Sequence, residues 1–270
     1  MKVELTYAAG CPNVDEARRT LDQCMQELGI EAPIVELEGD YASPTVLVDG
    51  VDVMGRSDES GAMCRLDLPS REGVLEALGT ALAGAVRANG FRLLLASGAP
   101  VAVEQLAEVV GAGVRAVHRA LDELVRRGSA RMDAEGRLVG TGGLSVVPHR
   151  HEMLVGGRRF WTWCAFDAVG ILAALEAGGL IRTSDPASGQ PIEIPFLNGH
   201  ATAGSPVLFL PRLDSCSSVV DEWCPNANLF ETEANARAWA GRQDVKGDVL
   251  SLSQAVEVGA KSWHPLVAPR

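Results

Sequence analysis

Apolar and polar positions alternate along residues 3–7, and this period of two predicts a half-buried β-strand. Apolar side chains between residues 14 and 28 then recur at the three- and four-residue spacing of a helix, which Gly29 is expected to end. A central Asp49-Gly50 pair indicates a tight hairpin. The predicted order over residues 1–68 is strand 3–7, a helix after the turn at 10–13, strand 34–37 and hairpin 44–53.

The pattern of residues 70–150 predicts helices followed by a hairpin, which is the order of a winged helix. The predicted elements are helices 74–88, 103–110 and 114–127 and a hairpin joining 130–132 to 137–139. The third helix would face DNA in such a fold, and it carries Arg115, His118, Arg119, Arg126 and Arg127. Asp122 and Glu123 on the same helix count against nucleic-acid binding, and a plain packing module is the other interpretation.

Residues 151–270 show shorter apolar segments with Gly and Pro throughout, which predicts an irregular mixed α/β region. A helix over residues 160–175 would place Trp161, Ala165, Ala168 and Leu172 at helical spacing. The other predicted elements are strands 191–194 and 206–210 and helices 233–241 and 253–257, the last of which residues 249–252 lead into. The predicted fold class is therefore α/β (α+β), with domains over residues 1–68, 70–150 and 151–270.

Charge and cysteine content narrow the function classes. The 270 residues carry a formal net charge of -11, which argues against sequence-independent nucleic-acid binding and against attachment to an anionic membrane surface. The chain has 6 cysteines at irregular spacing, its first residues look like a strand instead of a signal peptide, and no apolar run is long enough to span a bilayer. We expect a reducing, cytoplasmic setting in which cysteines are free, metal-binding or catalytic.

The N-terminal order of strand, cysteine turn, helix, strand, Ser43-Pro-Thr45 and hairpin resembles the thioredoxin fold. The turn departs from the redox pattern, because Cys11-Pro-Asn-Val14 lacks the second cysteine of Cys-x-x-Cys. Cys11 is therefore a candidate monothiol or metal-handling residue at a helix start, with Cys64 as a candidate partner. The alternative is that Cys11 is left over from a degenerate domain. Cys24, on an apolar helix face, is expected to pack in the core.

Cys164 and Asp167 form a candidate reactive pair. On a helix, side chains three residues apart share one face, so the thiol can act as a nucleophile or soft-metal ligand while the carboxyl moves a proton. Aromatic neighbours would keep this site dry; they are Phe160, Trp161, Trp163 and Phe166. The alternatives are that Cys164 is a core residue and that Asp167 caps a helix.

The region from about residue 75 to the C-terminus resembles the organomercurial (alkylmercury) lyase family. The segments that carry this resemblance are Gly143-Leu-Ser-Val-Val-Pro-His149, Arg159-Phe-Trp-Thr-Trp-Cys-Ala-Phe-Asp167, Arg182-Thr-Ser-Asp-Pro-Ala-Ser-Gly-Gln-Pro191 and Trp223-Cys-Pro-Asn-Ala-Asn-Leu-Phe230. By this resemblance, Cys164 and Cys224 are the catalytic cysteines and Asp167 is the catalytic aspartate. The thioredoxin-like region is an addition to the shortest members.

The resemblance implies a lyase of mercury detoxification that protonates the carbon–mercury bond to give a hydrocarbon and Hg(II). It implies a small organomercurial substrate, no required cofactor, and a thiol or a mercuric reductase as acceptor of Hg(II). Mercury would be held by Cys164 and Cys224, with Asp167 as a further candidate ligand.

Two departures from the family pattern concern accessory groups. Many members have a further cysteine directly after the position of Cys224 and histidines nearby, where this chain has Pro225, Asn226 and Asn228. A loop cysteine of some members is also absent, and Ser184, Asp185 and Ser188 stand there. Two alternatives to the lyase stay open: a diverged thiol-based soft-metal binder without cleavage, and a winged-helix metal-responsive regulator. Candidate accessory thiols are Cys11, Cys64 and Cys216.

Overall fold

A computed structural model describes residues 1–55, 63–65, 67–202 and 204–268. The helices are α1 Val14–Leu28, α2 Arg71–Ser97, α3 Val103–Val110, α4 Val114–Arg126, α5 Ala165–Ala174, α6 Glu233–Gln243 and α7 Leu252–Val267. The first nine strands are β1 Val3–Tyr7, β2 Ile34–Glu38, β3 Ala42–Ser43, β4 Thr45–Val48, β5 Val51–Asp52, β6 Met63–Cys64, β7 Ala130–Met132, β8 Leu138–Thr141 and β9 Leu144–Ser145. The others are β10 His151–Val155, β11 Arg158–Thr162, β12 Gly179–Ser184, β13 Pro191–Leu197, β14 His200–Ala201, β15 Val207–Pro211, β16 Asn228–Phe230 and β17 Gly247–Ser251. The predicted mixed α/β class is confirmed.

The chain forms two compact units, one of residues 1–86 with 103–122 and the other of residues 87–102 with 123–270. The predicted winged-helix elements α3, α4, β7 and β8 are present in the expected order and are divided between the two units. The domain boundaries near residues 68 and 150, and the thioredoxin-like and winged-helix descriptions, therefore stay predictions. None of the helices in the described part of the chain is long and apolar enough to cross a membrane.

The first unit contains a four-stranded sheet in the order β2-β1-β4-β5, with β1 parallel to β2 and antiparallel to β4. Helix α1 buries Leu21 and Cys24. It ends at Gly29, whose φ of 66° is the left-handed conformation that glycine adopts without strain. The Ser43–Pro44 peptide bond is cis and lies just before β4. These elements match the predicted strands, helix and hairpin.

The second unit contains an eight-stranded sheet in the order β14-β13-β12-β10-β11-β9-β8-β7. Neighbouring strands in it are antiparallel. Between β8 and β9 the chain turns in two residues, Gly142 and Gly143, with φ of 60° and 86°. Two consecutive positive φ angles are typical of the tight hairpin turn that matches strand twist, and glycine tolerates them. This turn lies next to the start of α5.

The predicted helix over residues 160–175 is wrong in its first third. Residues 158–162 form β11, which pairs with β10 and β9. Phe160 and Thr162 are buried while Trp161 between them is half-buried, so this segment follows the period of a strand. Helix α5 starts only at Ala165, and the helical spacing of Trp161 and Ala165 in the sequence was coincidental.

Helix α7 packs closely on α5 because glycines face each other at the crossing. A Cβ atom on Gly259 would lie 2.6 Å from Gly170 Cα, so the two backbones approach more closely than larger residues allow. This approach seats Trp263 against Phe166, with ring centroids 5.1 Å apart. The Trp263 indole N–H donates to Gly142 O at 2.7 Å. Helix α7 thereby connects α5 to the β8–β9 turn.

A smaller sheet in the same unit, in the order β16-β15-β17, carries its own apolar cluster. Phe209, Phe230 and Trp239 of α6 form its aromatic centre, with Trp239 5.9 Å and 5.5 Å from the other two rings. This cluster fixes β16, which leads directly out of the turn that carries Cys224.

Candidate active site

Cys164 and Asp167 lie at the start of α5 and cap it reciprocally. The backbone N–H of Cys164 donates to Asp167 Oδ2 at 2.8 Å, and the backbone N–H of Asp167 donates to Cys164 Sγ at 3.4 Å. This is a capping box, in which two N–H groups that the helix leaves unpaired find side-chain acceptors. Both side chains are thereby fixed in the protein interior, where Cys164 has 0% and Asp167 5% of its surface exposed.

Cys224 completes the cluster from a different part of the chain. It follows a π-helical turn over Val219–Trp223 and begins a short 3₁₀ turn. Ala165 N–H donates to Ala227 O at 3.1 Å, and Ala227 N–H donates to Cys224 O at 3.2 Å, so this turn is anchored to α5. The Cys164 and Cys224 sulfur atoms and an Asp167 carboxylate oxygen all lie within 4.8 Å of one another.

Burial sets the proton affinities of this cluster. Desolvation, the Cys224 thiol and the Asp167 charge together raise the pKa of Cys164 well above its usual value of 9.0. Desolvation also raises the pKa of Asp167, to about 6, although hydrogen bonds from Cys164 and the positive charge of Arg87 act in the opposite direction. At neutral pH the pair is therefore a thiol beside a carboxylate of unusually high proton affinity.

A cavity of about 360 Å³ gives access to the carboxylate. Its lining includes Asp167, Arg87 and Cys216 together with the aromatic side chains of Trp163, Phe166, Trp223 and Trp263. Arg87 is solvent-accessible but closely surrounded by protein atoms, and this desolvation lowers its pKa while the Asp167 charge raises it. The cavity thus combines a carboxyl group, a guanidinium group and four aromatic side chains.

Gly143 lies directly against the Asp167 side chain. A Cβ atom at this position would be 2.4 Å from both Cγ and Oδ1 of Asp167. The carbonyl oxygen of Gly143 also accepts from the Trp163 backbone N–H at 3.0 Å. The β8–β9 turn therefore forms one wall of the carboxylate site, and a side chain at residue 143 does not fit beside it.

Sequence reasoning identified some of these neighbours and missed others. Of the four aromatic residues expected around the pair, Trp163 and Phe166 line the cavity, while Phe160 and Trp161 belong to β11 and are not among its lining residues. Arg87 and Trp263 were missed, because each is far from the motif in sequence and comes near it only through packing of α2 and α7. For the wall that the β8–β9 turn forms, the available sequence signal was the Gly142-Gly143 pair, because paired glycines after a strand mark a tight hairpin.

The departures near Cys224 and in the loop after β12 are hydrogen-bonded parts of the structure. Asn228 is buried, donates to Pro225 O at 2.8 Å and accepts from Arg150 at 3.0 Å. Asp185 is fully buried, and its carboxylate accepts from the backbone N–H groups of Ala187 and Glu231 at 2.6 and 2.9 Å. Burial acts to raise the pKa of Asp185, but its hydrogen bonds outweigh that effect and lower it.

The four other cysteines have distinct environments. Cys216 is exposed and lines the cavity, and burial followed by the nearby Glu222 charge raises its pKa. Cys24 is buried and donates to Arg71 O at 3.7 Å, as expected for a packing residue. Cys11 and Cys64 lie in the first unit with their sulfur atoms 3.8 Å apart.

The Cys11 thiol is the more acidic of that pair. Burial acts to raise its pKa, but interactions with Ser43 and with the backbone N–H groups of Asn13 and Val14 lower it. The pKa of Cys64 is raised, mainly by its hydrogen bond to Cys11. The two sulfur atoms therefore share hydrogen-bonding interactions, which the sequence could not establish.

The basic face expected on α4 is partly neutralised within its own helix. Arg126 and Arg127 both form ion pairs with Glu123. Arg119 donates to the backbone carbonyl of Glu27. These contacts engage three of the five basic side chains that a DNA-reading helix would present to phosphates and bases.

The buried cluster has the chemistry of a soft-metal site with an internal acid. Thiolates are the ligands that soft, thiophilic metals prefer, and two of them converge here. A carboxyl group whose pKa lies near neutrality can take a proton from a thiol and deliver it again. The cluster can therefore hold a soft metal on two sulfur atoms and protonate a group attached to that metal.

Comparisons with known proteins agree in both sequence and fold. A family model described as alkylmercury lyase matches residues 144–264. An alkylmercury lyase of Bacillus cereus is 30% identical over 169 residues, which cover 62% of this chain and 75% of the relative. An alkylmercury lyase of Streptomyces lividans is 27% identical over 169 residues, which cover 62% of this chain and 76% of the relative. The crystal structure of the mercury-bound form of MerB2 superposes with a TM-score of 0.63 at 23% identity, covering 69% of this chain and 91% of that one. This last likeness establishes a common fold.

Proposed function

Because the chain belongs to the alkylmercury lyase family, we propose that it cleaves the carbon–mercury bond of small organomercurials by protonolysis. Cys164 and Cys224 are the mercury ligands in this proposal, and Asp167 carries the proton. The observation that supports these roles is the convergence of two buried thiols and one buried carboxyl within 4.8 Å.

The first step is a proton transfer that activates Cys164. Its pKa is raised, so the free thiol is a poor nucleophile, and the adjacent Asp167 carboxylate is the base that removes its proton. The sulfur then forms a bond to mercury in RHgX, where R is the organic group and X is a thiolate or halide. X⁻ leaves, and Asp167 now holds the thiol proton.

The second step places Cys224 on the same mercury and cleaves the bond to the organic group. Cys224 loses its proton to the released X⁻, which forms HX, and its sulfur donates a second electron pair that raises the electron density on the mercury-bound carbon. Asp167 delivers its proton to that carbon, and the carbon keeps the electron pair of the broken bond. The sum is RHgX plus two thiols giving RH, HX and Hg(II) held by two thiolates, with Asp167 returned to its carboxylate form.

The cavity beside Asp167 accommodates the organic group. Its aromatic wall excludes water from the protonation step, and its volume of about 360 Å³ is sufficient for groups from methyl to phenyl. Arg87 lies in the same cavity and favours the ionised form of Asp167, so its charge helps to prepare the base for the first step.

The released Hg(II) requires an acceptor that competes with two protein thiolates. We place the reaction in a reducing cytoplasm, where a small thiol or a mercuric reductase removes the product. No resident cofactor enters the proposed steps, since the substrate itself supplies the metal. Cys216, exposed at the cavity, is an accessory thiol in this scheme and is not needed for bond cleavage.

Hydrocarbon release tests the proposal. The purified chain is incubated with methylmercury or phenylmercury and a thiol, and methane or benzene is quantified by gas chromatography. Cys164→Ser and Cys224→Ser should each abolish release, whereas Cys216→Ser, the control within the same cavity, should retain it. Full activity in either of the first two variants would overturn the assigned roles.

Intact-mass analysis separates cleavage from simple trapping. After substrate addition, the wild-type chain should carry Hg(II) without the organic group, because the hydrocarbon has left. A mass increase that includes the organic group, with no hydrocarbon released, would identify a non-catalytic soft-metal binder instead.

A further inference from the structure

A second pair of thiols lies in the first unit, outside the residues matched by the family model. Cys11 Sγ and Cys64 Sγ are 3.8 Å apart, although 52 residues separate them along the chain. Cys11 is half-buried and Cys64 is exposed. The proposed lyase reaction uses neither residue, so it does not explain why the two thiols lie close together.

The pair is held by contacts from three chain segments. Cys11 lies three residues before the start of α1, and its thiol donates to Ser43 O at 3.6 Å. Ser43 pairs with Cys64 in the parallel β3–β6 bridge, and Arg65 N–H donates to Ser43 O at 2.7 Å. The Asn13 side-chain amide donates to Arg65 O at 3.0 Å and approaches Cys64 Sγ at 3.8 Å. Strand pairing and hydrogen bonds to backbone carbonyl groups therefore bring the two thiols together.

The number of ligands selects the kind of metal. Structural zinc takes four protein ligands, commonly cysteine and histidine. Among the described residues, the cluster of Cys164, Asp167 and Cys224 is the one group of three or more metal-binding side chains, so within that part of the chain the Cys11–Cys64 pair offers two ligands. A pair of thiolates suits a soft cation that is satisfied by two sulfur atoms.

A structural disulfide does not account for the pair. The sulfur atoms are free, and their 3.8 Å separation is well beyond the bond length of about 2.05 Å. Forming that bond would also require an oxidant, which neither the site nor the proposed lyase reaction supplies. Two thiols need no oxidant to bind a divalent cation, since they lose two protons as the cation arrives.

We propose that Cys11 and Cys64 form a second, exposed dithiolate site that binds Hg(II). The choice of Hg(II) among soft cations rests on the proposed function, because the lyase reaction produces this ion on the same chain. Two thiolates neutralise its charge of +2. The exposed position of Cys64 lets an incoming thiol reach the bound metal, so this site exchanges Hg(II) with solution thiols faster than the buried Cys164–Cys224 pair.

Mercury titration of the full chain tests the second site directly. A Cys164→Ser/Cys216→Ser/Cys224→Ser variant removes the thiols of the lyase unit and keeps Cys11, Cys24 and Cys64. In the presence of a monothiol such as glutathione, it should retain one equivalent of Hg(II) by native mass spectrometry. Adding Cys11→Ser and Cys64→Ser should abolish that retention, whereas adding Cys24→Ala, the matched control, should leave it unchanged.

Further measurements sharpen the assignment of the metal and of the pair. X-ray absorption on the loaded variant should show mercury bound by two sulfur atoms, and Zn(II) under the same conditions should not be retained. Retention of Zn(II) with affinity equal to that of Hg(II) would overturn the two-ligand assignment. Absence of retained Hg(II), or retention that survives loss of Cys11 and Cys64, would overturn the site itself. Circular dichroism confirms that each variant is folded.

Hydrocarbon release distinguishes this proposal from the lyase function on which it rests. The Cys11→Ser/Cys64→Ser variant with an intact catalytic trio should release hydrocarbon at the wild-type initial rate. Failure of the wild-type chain to release hydrocarbon would refute the lyase proposal and leave the titration result to decide the second site on its own.

Discussion

The contact between Gly143 and Asp167 leads to a quantitative prediction for Gly143→Ala. The new Cβ atom would lie 2.4 Å from the Asp167 carboxyl carbon, whereas ordinary contacts begin at 3.4 Å. The carboxyl group, or the turn, must therefore move by about 1 Å. Displacement of a catalytic group by that distance can lower the rate by about 10²-fold. We expect hydrocarbon release to fall by about that factor.

Gly143→Ala also has a backbone cost, which any glycine at a positive φ would show and which therefore needs a control variant. Alanine at a positive φ costs about 1–2 kcal/mol because its Cβ approaches the backbone. Gly157 provides the match, since its φ is 74° and no atom lies within 4 Å of the Cβ position, compared with a φ of 86° at Gly143. Gly157→Ala should therefore lower the free energy of unfolding by this backbone cost and retain nearly full activity.

The assay compares both variants at the same temperature. Chemical denaturation gives the free energy of unfolding, and initial rates of benzene release from phenylmercury give activity on the folded enzyme. The pH dependence of kcat/KM adds an independent observable, because displacement of the Asp167 carboxyl should change its acid limb. If Gly143→Ala matches Gly157→Ala within about threefold in rate, then the turn does not position Asp167 and the reasoning fails.

The remaining predictions concern titrating groups. Activity should fall as the pH drops through about 6, where Asp167 becomes protonated and can no longer act as the proposed base. Arg87→Met should move this limb of the kcat/KM profile to higher pH, because the Arg87 charge lowers the Asp167 pKa. Asp167→Asn should lower turnover by at least about 10²-fold. The Asp167→Asn variant should also be more stable than the wild type at neutral pH. In the wild type, the raised pKa of Asp167 contributes about 3 kcal/mol of stability below about pH 4, and this contribution is lost as the pH rises through 6. Denaturation at several pH values would measure this difference. His151 is buried, and this burial, followed by the charges of Arg150 and His149, lowers its pKa to about 3. The contribution of His151 to the free energy of unfolding is therefore present above pH 6.5 and lost toward pH 3, so His151→Gln should flatten that part of the stability profile.

The sequence was sufficient for elements whose pattern is long or sharply bounded. Helix α1 ends at Gly29 as predicted, because the apolar period and a left-handed glycine stop agree. The motif around Cys164 was recognisable, since its reactive residues are close together in sequence. Around residue 160, by contrast, a five-residue strand and the helix that follows it present apolar side chains at spacings that fit either structure.

Long-range contacts account for most of what was missed. Arg87 enters the cavity from α2, and Trp263 enters from α7, but neither position has a local pattern that reports its distance from Asp167. The approach of Cys64 to Cys11 depends on the β3–β6 bridge, which joins two strands of two residues each. Such short strands carry almost no periodicity, so the sequence could offer Cys64 only as a candidate partner.

The capping box at the start of α5 has a consequence for the origin of the reactive pair. Cys164-Ala-Phe-Asp167 has the arrangement of the common helix-start signal Ser/Thr-x-x-Glu, with sulfur in place of the hydroxyl oxygen and a shorter acid in place of glutamate. An ordinary helix start therefore needs few changes to become a thiol beside a carboxyl group, the pair to which we assign mercury binding and proton transfer. The reverse change would remove the reactive pair and keep the capping box, so the helix would still begin at the same residue after the chemistry was lost.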